Sequence, residues 1–259
     1  MEPLVMGIVN VTPDSFYDGA RFLTPEAAVT RGLELFDEGA AVVDVGGEST
    51  RPGARPVPLD EELARVVDVV AGLAPRGRVS IDTTKPEVAR AAAAAGAGII
   101  NDVSASLHEV AAELDMIWIA VHCQGTPATM QRDPHYADVV VEVGDFLAAA
   151  SERGLAAGVP EVWVDPGIGF GKTTTHNLEL LANLSRIVAR GQPVVVGASR
   201  KRFIGELHAR SDGLKVPEVP VDDRLEGSLA TAAWSLAQGA SVVRAHDVAA
   251  SVRVLKVVV

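Results

Sequence analysis

Short apolar runs recur along the chain, each followed by a longer stretch in which apolar and polar residues alternate with helical spacing. The runs predict strands near residues 4–10, 41–46, 79–83, 98–103, 117–122, 162–166, 193–198 and 241–246. Several, such as Val194-Val195-Val196 and Ile117-Trp118-Ile119-Ala120-Val121, are apolar on both faces, as parallel strands buried between a core and covering helices must be. The segments between them are alanine-rich and amphipathic, with helices predicted at Pro25 to Glu38, Leu59 to Leu73, Pro86 to Ala95 and Asn177 to Ala189. Thr24-Pro25, and Asp60 followed by two glutamates, are helix start signals. Strand and helix alternating in this way build either a closed barrel or an open doubly wound sheet. Polar clusters follow at least six of the strands, whereas an open sheet concentrates them at one switch point. The expectation is therefore an α/β fold, an eightfold β/α (TIM) barrel forming a single domain over residues 1–259.

Composition agrees with one large core. The chain has 259 residues, 48% of them hydrophobic, enough for a barrel that needs neither disulfide nor structural metal. Cys123 is the only cysteine, which excludes an internal disulfide and a multi-cysteine zinc site and agrees with a reducing, cytoplasmic setting. Its expected role is a small packed residue, not a nucleophile. Met1 to Asn10 lacks a basic leader, and no apolar stretch is long enough for a membrane span, so a soluble protein without a membrane partner is expected. A formal charge of −11 disfavours nucleic acid as a partner. It does not disfavour a small anion, because Arg200, Lys201 and Arg202, or Arg244 with His246, form local basic clusters.

Three segments depart from the minimal repeat. Val11 to Phe22, with Pro13, Asp14 and Gly19, and Glu48 to Pro58, with Pro52, Pro56 and Pro58, are long loops of the kind that close over a site. Ala209 to Asp222, with Gly213, Pro217 and Pro220, reads as an irregular surface excursion.

The chemistry lies where apolar runs stop. Asp82, Asn101 and Asp165 each end a predicted strand. Any one alone is equally a helix cap or turn former, but three on separate strands aimed at one opening suit a flat heterocycle. A carboxylate accepts parallel N–H bonds from an amino group and a ring nitrogen, Asn both donates and accepts, and Lys201 can donate to a ring carbonyl. Arg244 and His246, two apart, share one side of their strand; facing the barrel mouth they would hold a diphosphate, the competing reading being a solvated surface pair. Asn10 at the tip of the first strand can offer an oxygen to Mg²⁺, which takes few protein ligands and completes its shell with phosphate and water. Gly167-Ile168-Gly169-Phe170-Gly171-Lys172-Thr173 is not a nucleotide-binding P-loop, because that pattern needs glycine where Pro166 stands. Its glycines suit a tight backbone turn with Phe170 as an aromatic wall. His122, His135, His176 and His208 lack metal-ligand spacing.

Taken together, these motifs resemble the dihydropteroate synthase family. Met6 to Gly19 (MGIVNVTPDSFYDG) and Val43 to Ala54 (VDVGGESTRPGA) resemble its first two signatures. Ser80 to Pro86, Ile100 to Ser104, His122 to Gln131, Asp165 to Lys172, Ser199 to Gly205, Gly227 to Ala232 and Arg244 to Val248 continue the likeness in the family's order. The resemblance implies joining of 4-aminobenzoate to a dihydropterin methyl diphosphate, with Mg²⁺, in a homodimer that sulfonamides would inhibit. It implies that Asp82, Asn101, Asp165, Lys201 and Arg244 hold the pterin. Asn10, Thr50, Arg244 and His246 would hold the diphosphate, with Asn10 on the metal. Phe16, Thr50, Arg51, Pro52, Phe170 and Ser199 would line the 4-aminobenzoate side, and Asp14, Lys201, Arg244 and His246 would be catalytic. The chain departs from the pattern after Ser104, where Ala105-Ser106-Leu107-His108-Glu109 replaces the usual paired glycines, and at Tyr17 and Cys123. Two rival functions are a corrinoid-dependent methyltransferase with a similar pterin-binding barrel and a catalytically silent paralogue that only binds pterin.

Overall fold

The computed structural model describes residues 1–12, 24–50, 54–126, 129–215 and 217–259. Among these, the apolar runs become eight parallel strands: β1 (Leu4–Asn10), β2 (Val42–Gly46), β3 (Arg78–Asp82), β4 (Ile99–Asp102), β5 (Ile117–Val121), β6 (Val162–Asp165), β7 (Val195–Val196) and β8 (Val242–Ala245). Their order, β6-β5-β4-β3-β2-β1-β8-β7, brings the two ends of the sheet together, and a parallel bridge between Val164 and Val194 joins β6 to β7. The sheet is thus a closed barrel, as the distribution of polar clusters predicts.

Alternation along each strand sorts side chains into two cores. Met6, Val42, Ile99, Ile119, Trp163, Val195 and Val242 fill the barrel interior. Val5, Val43, Val79, Ile100, Trp118, Val164 and Val196 face outward, into the layer beneath the helices. Those helices are α1 (Pro25–Asp37), α2 (Leu59–Leu73), α3 (Pro86–Ala94), α4 (His108–Glu113), α5 (Val139–Ala157), α6 (Thr174–Ala182), α7 (Leu184–Val188), α8 (Arg202–Ser211), α9 (Leu225–Ala237) and α10 (Val248–Val258). The start signals act as expected in α1, where the Thr24 hydroxyl accepts from the Ala27 amide and Pro25 occupies the first turn.

Three expectations need correction. The helix read from Asn177 to Ala189 is two helices: Thr173 and His176 form a reciprocal cap that starts α6 earlier, and Asn183 ends it. The Glu179 carbonyl accepts both the Asn183 amide at 3.1 Å and its side chain at 2.9 Å, and the break lies in the Asn183 backbone, φ −113° and ψ 19°. The run at 193–198 yields only Val195–Val196 as strand, although Val164 N–H donates to the Pro193 carbonyl at 3.0 Å. The excursion expected from Ala209 begins later, because α8 continues through Ser211. Among the described residues no helix is long and apolar enough to cross a membrane.

Candidate active site

Inward-facing positions at the C-terminal ends of the strands change from apolar to polar. Register places Asn10 beside Gly46, Gly46 beside Asp82, and Asp82 beside Asn101; Val121 pairs with Asp165. Ile8 pairs with Asp44 and Met6 with Arg244. The Asp82, Asn101, Asp165 and Arg244 side chains predicted for the pterin therefore lie around one barrel mouth. Two inward positions carry no side chain. A Cβ built at Gly46 would lie 3.5 Å from Asp82 Cβ and 3.8 Å from Asn10 Oδ1, and one at Gly197 would lie 3.8 Å from Arg244 Cβ and 3.9 Å from Asp165 Oδ2. These are ordinary contacts, so packing does not demand glycine at either position. The two glycines place no side chain between the acids and the arginine.

The polar groups are linked. Arg244 Nε donates to Asp44 Oδ2 at 2.6 Å and Arg244 Nη2 donates to Asp82 Oδ2 at 2.8 Å. Asn101 Nδ2 donates to the same Asp44 oxygen at 3.0 Å. Across the mouth, Asp165 Oδ1 accepts the Gly167 amide at 2.6 Å. Lys201 donates to the Ile168 carbonyl, and its Nζ lies 3.9 Å from the centre of the Phe170 ring. The Phe170 ring thus lies under the Lys201 ammonium. The Ser199 hydroxyl lies 3.1 Å from His246 Nδ1 and accepts the His246 amide at 3.2 Å, joining the ends of β7 and β8. Arg200 between them takes a left-handed backbone, φ 58°, held by a two-pronged pair with Asp247 at 3.0 and 2.7 Å. Thr50 follows β2 at the same end and is half-buried. Asp14, Phe16, Arg51 and Pro52 lie outside the described residues.

Burial shapes the protonation of this cluster. It pushes the Asp165 carboxyl up, opposed by Lys201, and pushes Asp82 up to about 7, opposed by Arg244. Burial also pulls the Lys201 ammonium down to about 8, with Asp165 working against it. For Arg244 burial is outweighed by Asp44 and Asp82, and its pKa lies above the ordinary value. The mouth holds opposed charges in a poorly solvated space, an arrangement able to bind a polar heterocycle and an anionic tail together.

Sequence reasoning missed several members. Asp44 is fully buried in β2, and its signal was a carboxylate inside an apolar run at the same parity as Gly46. Lys172 is buried too, donating to the Gly167 and Phe170 carbonyls at 3.0 Å each and lying 2.9 Å from His122 Nδ1. It holds together the turn in which Gly167, Gly169 and Gly171 all have positive φ. Only glycine serves at Gly167, because a Cβ there would lie 1.8 Å from the His122 carbonyl oxygen. The unusual fourth loop is shaped by Asp102, which accepts the amides of Ser104, Ser106 and Leu107 at 2.8, 2.7 and 2.8 Å. Ala105 takes φ 49° in that loop. Cys123 is partly buried against Met130 and burial pushes its thiol up, in keeping with a packed residue and not a nucleophile.

A family model described as pterin binding enzyme matches residues 6–246, which spans all of these strand ends. The chain belongs to the pterin binding enzyme family. Among its pterin binding relatives, the dihydropteroate synthase of Mycobacterium leprae is 47% identical, covering 98% of this chain and 92% of that protein. The Yersinia pestis dihydropteroate synthase, solved with a sulfonamide drug complex, is 40% identical with a TM-score of 0.92, covering 99% of this chain and 93% of the other. The Xanthomonas albilineans dihydropteroate synthase, solved with 4-aminobenzoic acid, is 46% identical with a TM-score of 0.89, covering 99% and 92%. Similarity over nearly whole chains matches the single barrel seen here.

Proposed function

We propose that this protein is a dihydropteroate synthase: it joins 4-aminobenzoate to the methylene carbon of (7,8-dihydropterin-6-yl)methyl diphosphate, giving 7,8-dihydropteroate and releasing diphosphate. The observation that carries the proposal is the ring of Asp82, Asn101, Asp165 and Arg244 at one barrel mouth, with glycine at the inward positions 46 and 197. The Yersinia and Xanthomonas relatives, with their sulfonamide and 4-aminobenzoic acid complexes, support 4-aminobenzoate as the acceptor.

In this reading the acids and Asn101 receive the donor edge of the pterin, and Lys201 donates to its carbonyl. Loss of diphosphate before the nitrogen attacks leaves a cation delocalised into the pterin ring, so the site must stabilise a cation and a departing anion together. Arg244 and His246 suit the anion; Asp14 is assigned to the cation. Phe16, Thr50, Arg51, Pro52, Phe170 and Ser199 are assigned to 4-aminobenzoate. The Asn10 side chain fits Mg²⁺ in offering one hard amide oxygen at the rim, beside the inward Gly46. When bound with the diphosphate, the ion would neutralise charge on the leaving group. We also place the protein in the cytoplasm as a homodimer, for which exposed Leu178 on α6 and Trp234 on α9, whose indole donates to the Leu181 carbonyl of α6, offer neighbouring apolar groups.

Purified protein given dihydropterin methyl diphosphate and Mg²⁺, with and without 4-aminobenzoate, tests the activity. Diphosphate release that depends on 4-aminobenzoate and yields dihydropteroate is expected. Pterin binding without turnover would instead indicate a silent paralogue.

A further inference from the structure

We infer that Asp44 is a positioning residue that fixes which hydrogen-bonding face Asn101 turns to the ligand, and holds Arg244 in place beside it. The inference rests on the pterin reading above and adds to it a residue that never needs to touch substrate.

Asp44 sits in the middle of β2, with no surface open to solvent, and its Oδ2 accepts both Asn101 Nδ2 and Arg244 Nε, at 3.0 and 2.6 Å. A carboxylate paired with a guanidinium only accepts, so the amide nitrogen of Asn101 must face it and the amide oxygen must face away. Asn101 consequently turns its oxygen, an acceptor, away from Asp44 and toward a ligand edge that donates, with one of its two amide hydrogens already held by Asp44. The same oxygen anchors one end of the Arg244 fork while Asp82 takes Nη2 at 2.8 Å. Because Asp82 is itself a proposed ligand group, Asp44 is the partner that keeps Arg244 in register when a pterin engages Asp82. Asp44 Oδ1, in contrast, is buried without a hydrogen-bond partner. A buried carboxylate with an unused acceptor costs stability, and an ion pair of this kind adds little stability that apolar packing would not supply. Stability alone gives no reason for an acid here; orientation of two site residues does.

The test uses the full-length protein and calorimetric titration with 6-hydroxymethylpterin, alongside the KM values for both substrates. Asp44→Ala removes the acceptor, which releases Asn101 to invert, and pterin affinity is expected to fall about tenfold or more. The KM for 4-aminobenzoate is expected to stay within about twofold, a split that general loss of structure would not produce. Arg244 can only donate, so in Asp44→Asn the amide oxygen must take the place of Oδ2 and go on accepting from Arg244 and Asn101, and pterin affinity should stay within about threefold of wild type. Unchanged pterin affinity in Asp44→Ala, or an Asp44→Asn protein that melts like wild type yet binds about tenfold more weakly, would overturn the inference. If Asp44→Ala does not fold, Asp44→Asn decides alone. Wild-type protein that fails to bind the pterin would instead sink the functional reading underneath.

Discussion

At the scale of single residues, the site works by giving each polar atom one forced orientation. Asp165 shows this most clearly. Its Oδ1 is committed to the Gly167 amide at 2.6 Å, and Oδ2 is the oxygen nearest the open position at Gly197. In Asp165→Asn the carbonyl oxygen keeps the Gly167 bond, which forces the new amide nitrogen toward the ligand. A donor then meets a donor, at a cost of about 1–3 kcal/mol in pterin binding with little change in melting temperature. Equal pterin affinity in the two proteins would remove Asp165 from the site. Lys172 makes a different prediction. Burial pulls its ammonium from 10.5 to about 7, while burial also holds His122 down at about 3, so that the imidazole stays neutral throughout. On deprotonation the amine keeps two donors for the Gly167 and Phe170 carbonyls, and its lone pair can accept from the other His122 tautomer. The turn therefore stays bonded in both states. Above about pH 7 the unfolded chain binds a proton at this lysine that the folded chain does not, so stability rises with pH up to about 10.5, by at most about 1.4 kcal/mol per pH unit. Subtracting the unfolding free energy of Lys172→Met cancels the groups that do not feel this ammonium; His122, which does, bears on the range below pH 7. The difference should climb between about pH 7 and 10, and a flat difference there would show that Lys172 titrates normally.

At the scale of elements, the strands were legible because parallel strands buried on both faces leave unbroken apolar runs, and the polar residue that ends each run marks the rim. Asp82, Asn101, Asp165 and Arg244 were found in this way. Asp44 was not, since nothing in a linear pattern says that an acid inside a strand faces a barrel whose interior already holds an arginine. The split of α6 from α7 at Asn183 was also illegible, because apolar spacing continues across the break, which lies in the backbone angles of one residue. Links between loops are equally hidden. Glu62 on α2 is buried, accepts the Thr83 hydroxyl at 2.7 Å and pairs with Lys85, which also pairs with Glu48. Arg65 on the same helix donates to the Gly47 carbonyl at 2.6 Å. These contacts tie the start of the loop that carries Thr50 to α2 and to the end of β3. Lys85→Met leaves Glu62 buried without its cation and is expected to cost about 3 kcal/mol in urea unfolding. The 4-aminobenzoate KM should rise as well. A variant with full stability would mean that water, and not Lys85, balances the acid.

At the scale of the whole molecule, the described strands are joined most weakly between β6 and β7, and the site lies across that seam. β1 and β2 share five registered pairs, from Met6↔Val42 to Asn10↔Gly46, whereas β6 meets β7 through the single Val164↔Val194 bridge. Strand β7 is two residues long. Opening here breaks few backbone bonds, so the Val164 amide, which donates to the Pro193 carbonyl at 3.0 Å, is expected to exchange with solvent by a local route sooner than amides shared by β1 and β2. The residues proposed to grip the pterin flank this seam: Asp165 ends β6, and Lys201 follows β7 while reaching back to the Ile168 carbonyl. A ligand held from both sides binds only the closed seam, and it suppresses opening according to its concentration over its dissociation constant, by about 2.7 kcal/mol at a hundredfold excess. Native-state hydrogen exchange with and without 6-hydroxymethylpterin would measure this. Protection of Val164 should rise on binding, while amides at the end of α10, which fray without disturbing the mouth, should not change. If Val164 gained no protection from a ligand that demonstrably binds, the pterin would be held by the strands from β8 round to β4 alone, and Asp165 and Lys201 would lose their assigned roles together.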